Sequence, residues 1–277
     1  MLMKTSKLFS ILSTFIFEIK TQGLAHEPHA KAAILTDNHK HPEPSLDLPE
    51  QSMPLFIPRI FHSVWMDFGK GAQVPKKYVE NREKLMNLHP DWKIINWTEK
   101  SVTKLIKQSY PYFLETFLSY DKPIKRHDAC RAVILHHYGG VYLDHDFYPI
   151  RNIEPLLKSY KFVVGREMST TDTGLANGLM ACVKEFKMMK LYIQCMNNPD
   201  AAKKHVLKAT GPQMLQKVFK MFCVKYGSES MKIYDFPFFY NYLGDLLKNP
   251  DFTEEELKSK YPLCYLIHTY DSSWRNQ

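Results

Sequence analysis

The chain has 277 residues, 44% of them hydrophobic and 13% aromatic, with a formal net charge of +8. That apolar content suffices for one sizeable core, so a single domain with N-terminal additions is the natural organisation. The basic surplus suits anionic partners without specifying a fold. Five cysteines with no Cys-x-x-Cys pair exclude a thiolate zinc motif and argue against a full disulfide framework.

In chain order, Lys4 and Lys7 precede the apolar run LFSILSTFIF, and Ala25 supplies a small residue further on. This is the three-part layout of a secretory signal peptide over residues 1–25. The run is too short to cross a bilayer, which takes about 20 residues; an amphipathic N-terminal helix is the plainer alternative. Residues 26–52 are rich in His, Pro and Glu without an apolar period and read as a disordered linker. Its histidines, His26, His29, His39 and His41, read as solvated residues rather than metal ligands. The folded domain is expected over 53–277.

From Met53 onward strand and helix signals alternate. IPRIFHSVW (57–65) is β-rich, Pro75 opens a helix through about Leu88, WKIINW (92–97) is a second strand, and Thr98 is a helix N-cap. Helical patterns cover roughly 102–118, 124–138, 185–196 and 212–226. Further strands are expected at VYLD (141–144), 161–167, 178–183, 231–236 and 263–268. The alternation predicts an α/β sandwich with a mostly parallel central sheet. Trp92 and Trp97 read as core, and His62, His136 and His137 as packing or helix-surface residues. Residues 181–232 hold ten lysines against Glu185, Asp200 and Glu229. Solvated helix faces are the plain reading and association with an anionic membrane surface the sharper one; no nucleic-acid motif accompanies them.

Two constellations carry chemistry. Asp144 and Asp146 follow a short apolar strand one residue apart, so on a continuing strand both would project to the same side. Oxygen-only ligands suit Mg²⁺ or Mn²⁺, whose sites often take one or two carboxylates and complete themselves with water and phosphates. A turn whose aspartates bind backbone N–H groups is the structural alternative. Upstream, Asp128 and Arg131 share a helical face at i, i+3, either as a surface ion pair or as a carboxylate and a guanidinium aimed at a polyol and its phosphate. Gly139–Gly140 then ends the helix and turns the chain into the aspartate strand.

The segments IPRIFHSVW, HPDWKIINW, DACRAVILHHYGGVYLDHD, TGP and IHTYDSSW, in this order, resemble the glycosyltransferases with a sugar-binding region containing an Asp-x-Asp motif. Fungal Golgi mannosyltransferases belong to that family, and the large clostridial glucosylating toxins are related to it. The resemblance implies a GT-A fold and a sugar-nucleotide donor held through Mn²⁺ or Mg²⁺. It implies that Asp128 and Arg131 contact the donor sugar and phosphates, that Asp144 reaches the ribose and a metal-bound water, and that Asp146 ligates the metal. Trp65, or Val64 beside it, would meet the nucleotide base. His268, Ser272 and Trp274 would lie in the segment closing over the diphosphate, with Ser272 joining the metal ligands. Asn177 is a candidate neighbour of the anomeric carbon, against the plainer reading of a turn asparagine. His127 stands where serine is frequent, and the middle of the aspartate motif is His145; neither departure replaces a presumed ligand.

The expected activity is metal-dependent transfer, with retention, from a UDP- or GDP-sugar to a glycan, lipid or protein acceptor, without nucleic acid as a partner. One alternative is a phosphotransferase of the haloacid-dehalogenase type, which Tyr148 and the long stretch of chain before Asp144 disfavour. Another is a catalytically silent nucleotide-sugar-binding protein. A signal-like N-terminus fits the secretory pathway lumen or secretion. In a bacterium it would fit a secreted effector or a membrane-associated enzyme.

Overall fold

The computed structural model describes residues 49–50, 52–66, 73–167, 174–241, 243–249 and 251–271. The signal-like segment and nearly all of the linker lie outside them. In chain order the elements are β1 (Ile60–Trp65), α1 (Lys76–Leu88), β2 (Lys93–Thr98), α2 (Glu99–Ser109), α3 (Pro111–Ser119), α4 (Pro123–Tyr138), β3 (Gly140–Leu143), β4 (Phe147–Pro149) and α5 (Glu154–Leu157). There follow β5 (Phe162–Arg166), β6 (Leu175–Cys182), α6 (Lys187–Met196), α7 (Pro199–Ala202), α8 (Val206–Ala209), α9 (Pro212–Tyr226), β7 (Met231–Tyr234) and α10 (Phe236–Phe239). A 3₁₀ turn (Leu243–Lys248), α11 (Glu254–Lys260) and β8 (Leu266–His268) complete the described chain.

A six-stranded sheet runs in the order β2-β1-β3-β6-β5-β7. β1 pairs in parallel with both β2 and β3, and β5 with β7, while β6 runs antiparallel between β3 and β5. Five strands therefore point one way and β6 opposes them, which is the mostly parallel α/β sandwich expected from the alternation. Alternate residues feed two cores: Val64, Tyr142 and Val164 face the core with α2, α3, α4, α6 and α9, whereas Phe61, Val141 and Val163 face the opposite one. A separate two-stranded sheet joins β4 to β8 in register Phe147↔His268. This pairing brings the C-terminal segment beside the chain that leaves β3.

Several boundaries differ from expectation. β1 begins at Ile60 because Pro58 offers no N–H to a ladder. Thr98 does cap α2, through a capping box with Ser101. The helical stretch expected over 102–118 is two helices, since Pro111 opens α3 at its first turn. β6 starts at Leu175, three residues before the expected strand. Trp92 and Trp97 are buried as expected, as is His62. The five cysteines are free thiols.

Candidate active site

The site grows from the turn between α4 and β3. Gly139 and Gly140 have φ of +67° and +89°, the left-handed region that glycine alone enters easily. A Cβ on Gly140 would stand 2.5 Å from the Ile60 carbonyl oxygen, so the bare backbone lets β3 lie against β1. The chain thereby leaves α4, doubles back and carries Asp144 to the end of β3.

Asp128 and Arg131 lie on α4 as predicted, but they do not form a surface pair: each is 5% exposed. Arg131 Nη2 is 3.3 Å from Asp128 Oδ1 and 3.1 Å from Asp144 Oδ1, so one guanidinium joins both carboxylates. Its cation also lies over the Tyr142 ring at 5.1 Å. Burial opposes the charge, yet Asp144, Tyr142 and Asp128 hold the Arg131 pKa above its ordinary value. Burial pushes Asp128 and Asp144 upward, with Arg131 pulling each back. Arg131 Nε is buried without a hydrogen-bond partner among the described residues.

Asp144 and Asp146 are not two residues of one strand. β3 ends at Leu143, and the aspartates occupy the turn before β4. Asp144 Oδ1 accepts from Tyr142 Oη at 2.8 Å, while the Asp144 N–H donates to the Gly178 carbonyl at 2.9 Å. Asp146 turns instead toward β8, where His268 Nε2 donates to its Oδ1 at 3.2 Å. The Asp146 carbonyl accepts from both the N–H and the hydroxyl of Thr269. Burial would raise the Asp146 carboxyl, but the His268 contact brings it below its usual value. The turn thus supplies two carboxylates held from different sides.

Asn177 is not a turn residue. It is buried in β6, and its Nδ2 donates to Asp128 Oδ1 at 3.1 Å. The β5–β6 register breaks between Val164 and Arg166, opposite this segment of β6. A bulge there places Asn177 toward Asp128 while Gly178 faces Asp144, whose Oδ2 would be 2.9 Å from a Cβ on Gly178. Thr210, in the TGP segment, donates to Asp128 Oδ2 at 3.3 Å.

His127 is not one of the presumed ligands, but it contacts one of them. Its Nε2–H donates to the Val64 carbonyl at 3.1 Å, and its Nδ1 accepts from Arg131 Nη2 at 3.3 Å. These partners fix the tautomer, and burial followed by the Arg131 charge lowers its pKa to about 4, so the ring is neutral. Val64 itself is buried in the core with its carbonyl engaged by His127, so its side chain offers no surface to a base. Trp65 is half-buried, with edge contacts to Tyr78 at 6.3 Å and to His145 at 5.6 Å. Ser272 and Trp274 lie outside the described residues. Asp271, just before them, accepts from Tyr78 Oη and Lys77 Nζ at 2.6 Å each. Tyr142, Thr210 and Asp271 are site residues that the sequence reading does not single out, although each lies in a segment that carries the resemblance.

Among the described residues no group of three or more His, Cys, Asp or Glu side chains could enclose a metal. Asp144 and Asp146 instead suit a hard cation that shares its coordination with water and phosphate oxygens.

The site is thus a buried Asp128–Arg131 pair joined to Asp144, with Asp146 in the same turn and both turn carboxylates partly exposed; comparison with known proteins gives this region a family. Residues 75–163 match the family described as glycosyltransferase sugar-binding region containing DXD motif. The chain is 37% identical over 179 residues to Mannosyl phosphorylinositol ceramide synthase CSH1 of Saccharomyces cerevisiae, a match covering 62% of this chain and 45% of that protein. It is 33% identical over 219 residues to SUR1 of the same name and organism, covering 76% and 53%. Inositol phosphoceramide mannosyltransferase 3 of Schizosaccharomyces pombe is 38% identical over 128 residues, covering 46% and 34%. The chain thus spans about half the length of the first two of these curated relatives. Among solved structures, the PaToxG glycosyltransferase matches with a TM-score of 0.49 and 20% identity, covering 63% of this chain and 72% of that one. Residues 75–163 thus match the sugar-binding region of the Asp-x-Asp glycosyltransferases, and they lie in a mostly parallel α/β sandwich.

Proposed function

We propose that the chain is a metal-dependent glycosyltransferase that moves a sugar, with retention, from a UDP- or GDP-sugar to a lipid acceptor. The names of its relatives support mannose as the sugar and an inositol-phosphoryl ceramide as the acceptor. The observation that carries the reading is the Arg131 guanidinium shared between Asp128 and Asp144 at the head of the Asp-x-Asp turn.

In this reading Asp146 and Asp144 hold Mn²⁺ or Mg²⁺, with Ser272 as a further ligand. A bound divalent ion supplies Lewis-acid neutralisation of the departing diphosphate. Asp128, braced by Asn177 and Thr210, accepts hydrogen bonds from donor-sugar hydroxyls. The Arg131 guanidinium sets a positive charge behind the Asp-x-Asp turn, on the phosphate side where negative charge grows as the glycosidic bond breaks. His268 orients Asp146 from behind, and Trp65 stacks on the base. Trp274 closes over the diphosphate.

A lipid acceptor would bring the enzyme to a membrane surface, and the signal-like N-terminal segment supports the secretory pathway lumen or secretion as its location. No helix among the described residues is long and apolar enough to cross a membrane. The test is a donor screen: the purified full chain is given UDP- and GDP-sugars with Mn²⁺, with and without inositol-phosphoryl ceramide. Free nucleotide and a mannosylated lipid from one donor are expected. Tight nucleotide-sugar binding with neither hydrolysis nor transfer would make the chain a silent binding protein.

A further inference from the structure

We propose that the outer face of the α6–α9 pair is a docking surface for an anionic lipid bilayer. The choice of a bilayer over other polyanions rests on the lipid-acceptor reading above. The two helices pack against each other. Lys187, at the start of α6, lies 5.5 Å from the ring of Tyr226, at the end of α9. Lys217, early in α9, acts electrostatically on Cys195, late in α6. The helices therefore run antiparallel, and their outward stripes form one surface.

Each helix buries one face, Met188, Tyr192 and Met196 on α6 and Leu215, Val218 and Phe222 on α9. The opposite faces expose Lys187 and Lys190 on α6 and Lys217 and Lys220 on α9, and Lys225 is exposed in the last turn of α9. The bordering acids are Glu185 and Glu229. Among these cations Val224 is 80% exposed and Tyr226 is 48% exposed, with Lys187 and Lys225 flanking the Tyr226 ring. A merely solvated face explains the lysines but not the two apolar groups set among them. An anionic bilayer accepts both: ammonium groups pair with lipid phosphates and carboxylates while lysine stems, Val224 and the Tyr226 ring enter the headgroup boundary. A nucleic acid would favour a row of stacking aromatics, and this face presents one tyrosine. The placement also serves the site, because α9 is capped by Gly211, where a Cβ would lie 3.3 Å from Asp128 Oδ2. One end of the docking helix is thus the wall of the proposed donor site.

The test is co-sedimentation of the full chain with phosphatidylcholine vesicles with and without phosphatidylserine, and its competition by duplex DNA. Wild type is expected to prefer the serine-containing vesicles and to lose binding as salt rises. The triple variant Lys187→Glu, Lys190→Glu, Lys217→Glu is expected to bind them at least about tenfold more weakly. Val224→Asp is expected to weaken binding without removing the preference for phosphatidylserine. The triple glutamine variant carries the same test without adding acidic repulsion within the helices. The N-terminal apolar run is common to every variant, so the differences belong to this face. Nucleotide release from a soluble donor is expected to stay at the wild-type rate. Equal vesicle binding by wild type and both triple variants, or tighter binding to DNA than to vesicles, would overturn the proposal. Absence of nucleotide release from wild type, with charge-dependent vesicle binding intact, would instead remove the transferase reading and leave the surface standing.

Discussion

Arg131 of α4 and Asp144 at the end of β3 meet at 3.1 Å in a site where the arginine side chain is 6% exposed. Because the same guanidinium also reaches Asp128, one cation sets the position of two carboxylates from different elements. Lysine would keep the charge but lose the planar fork. Arg131→Lys is therefore expected to lower nucleotide release by at least about 100-fold at saturating donor. Arg131→Ala, which leaves the buried Asp128 and the partly buried Asp144 without their counter-ion, is expected to cost about 3–5 kcal/mol of stability in denaturant titration.

His127 holds Arg131 from the other side, with Nδ1 accepting from the guanidinium and Nε2 donating to Val64. Removing the ring frees Arg131 to rotate and takes one donor from the buried Val64 carbonyl. His127→Ala is expected to reduce kcat about tenfold, as lost positioning does, and stability by about 1–3 kcal/mol. Steady-state kinetics with thermal unfolding checks both.

Gly140 takes φ +89° with the Ile60 carbonyl oxygen where a Cβ would sit. Gly140→Ala must move β3 off β1 and adopt a strained backbone together, and is expected to cost at least about 3 kcal/mol. Because Asp144 rides on β3, activity is expected to fall beyond what the unfolded fraction explains. Denaturant titration and activity at a folded temperature separate the two effects.

His62 gives the protein an acid sensitivity of its own. Its Nε2–H donates to the Gly139 carbonyl and its Nδ1 accepts from Trp97 Nε1, so both nitrogens are used by the neutral ring. Burial lowers its pKa to about 4, against the raising effect of the Gly139 carbonyl. The unfolded chain takes up the proton first, at the ordinary value of 6.5. Stability from this residue is therefore complete above about pH 6.5 and is lost as pH falls toward about 4. His62→Gln is expected to be less stable at neutral pH and to show a shallower decline across that window in thermal unfolding followed against pH.

Much of this architecture was legible because its signals are local. Alternation in 60–65 and 93–98, the Thr98 cap and the glycine pair each encode geometry within a few residues. The site was legible in its members more than in their roles. A carboxylate and a guanidinium three residues apart on α4 give no sign of being buried, because burial comes from α6, α8 and β6 packing across them. Asn177 reads as a turn residue in LANG, since Asn and Gly favour turns. It becomes a strand residue through a bulge opposite Val164–Arg166, a long-range pairing that short windows do not encode. Asp144 and Asp146 lie close in sequence, but β8 supplies His268 to one and α4 supplies Arg131 to the other.

The acidic turn is tested most directly by measuring nucleotide release from the active UDP- or GDP-sugar while titrating Mn²⁺, for wild type and Asp146→Asn. Wild type should show saturable dependence on the cation. Asp146→Asn should keep wild-type folding by circular dichroism yet release nucleotide at least about 100-fold more slowly at any Mn²⁺ concentration. A folded Asp146→Asn protein that releases nucleotide at the wild-type rate, with the same Mn²⁺ dependence, would contradict the account.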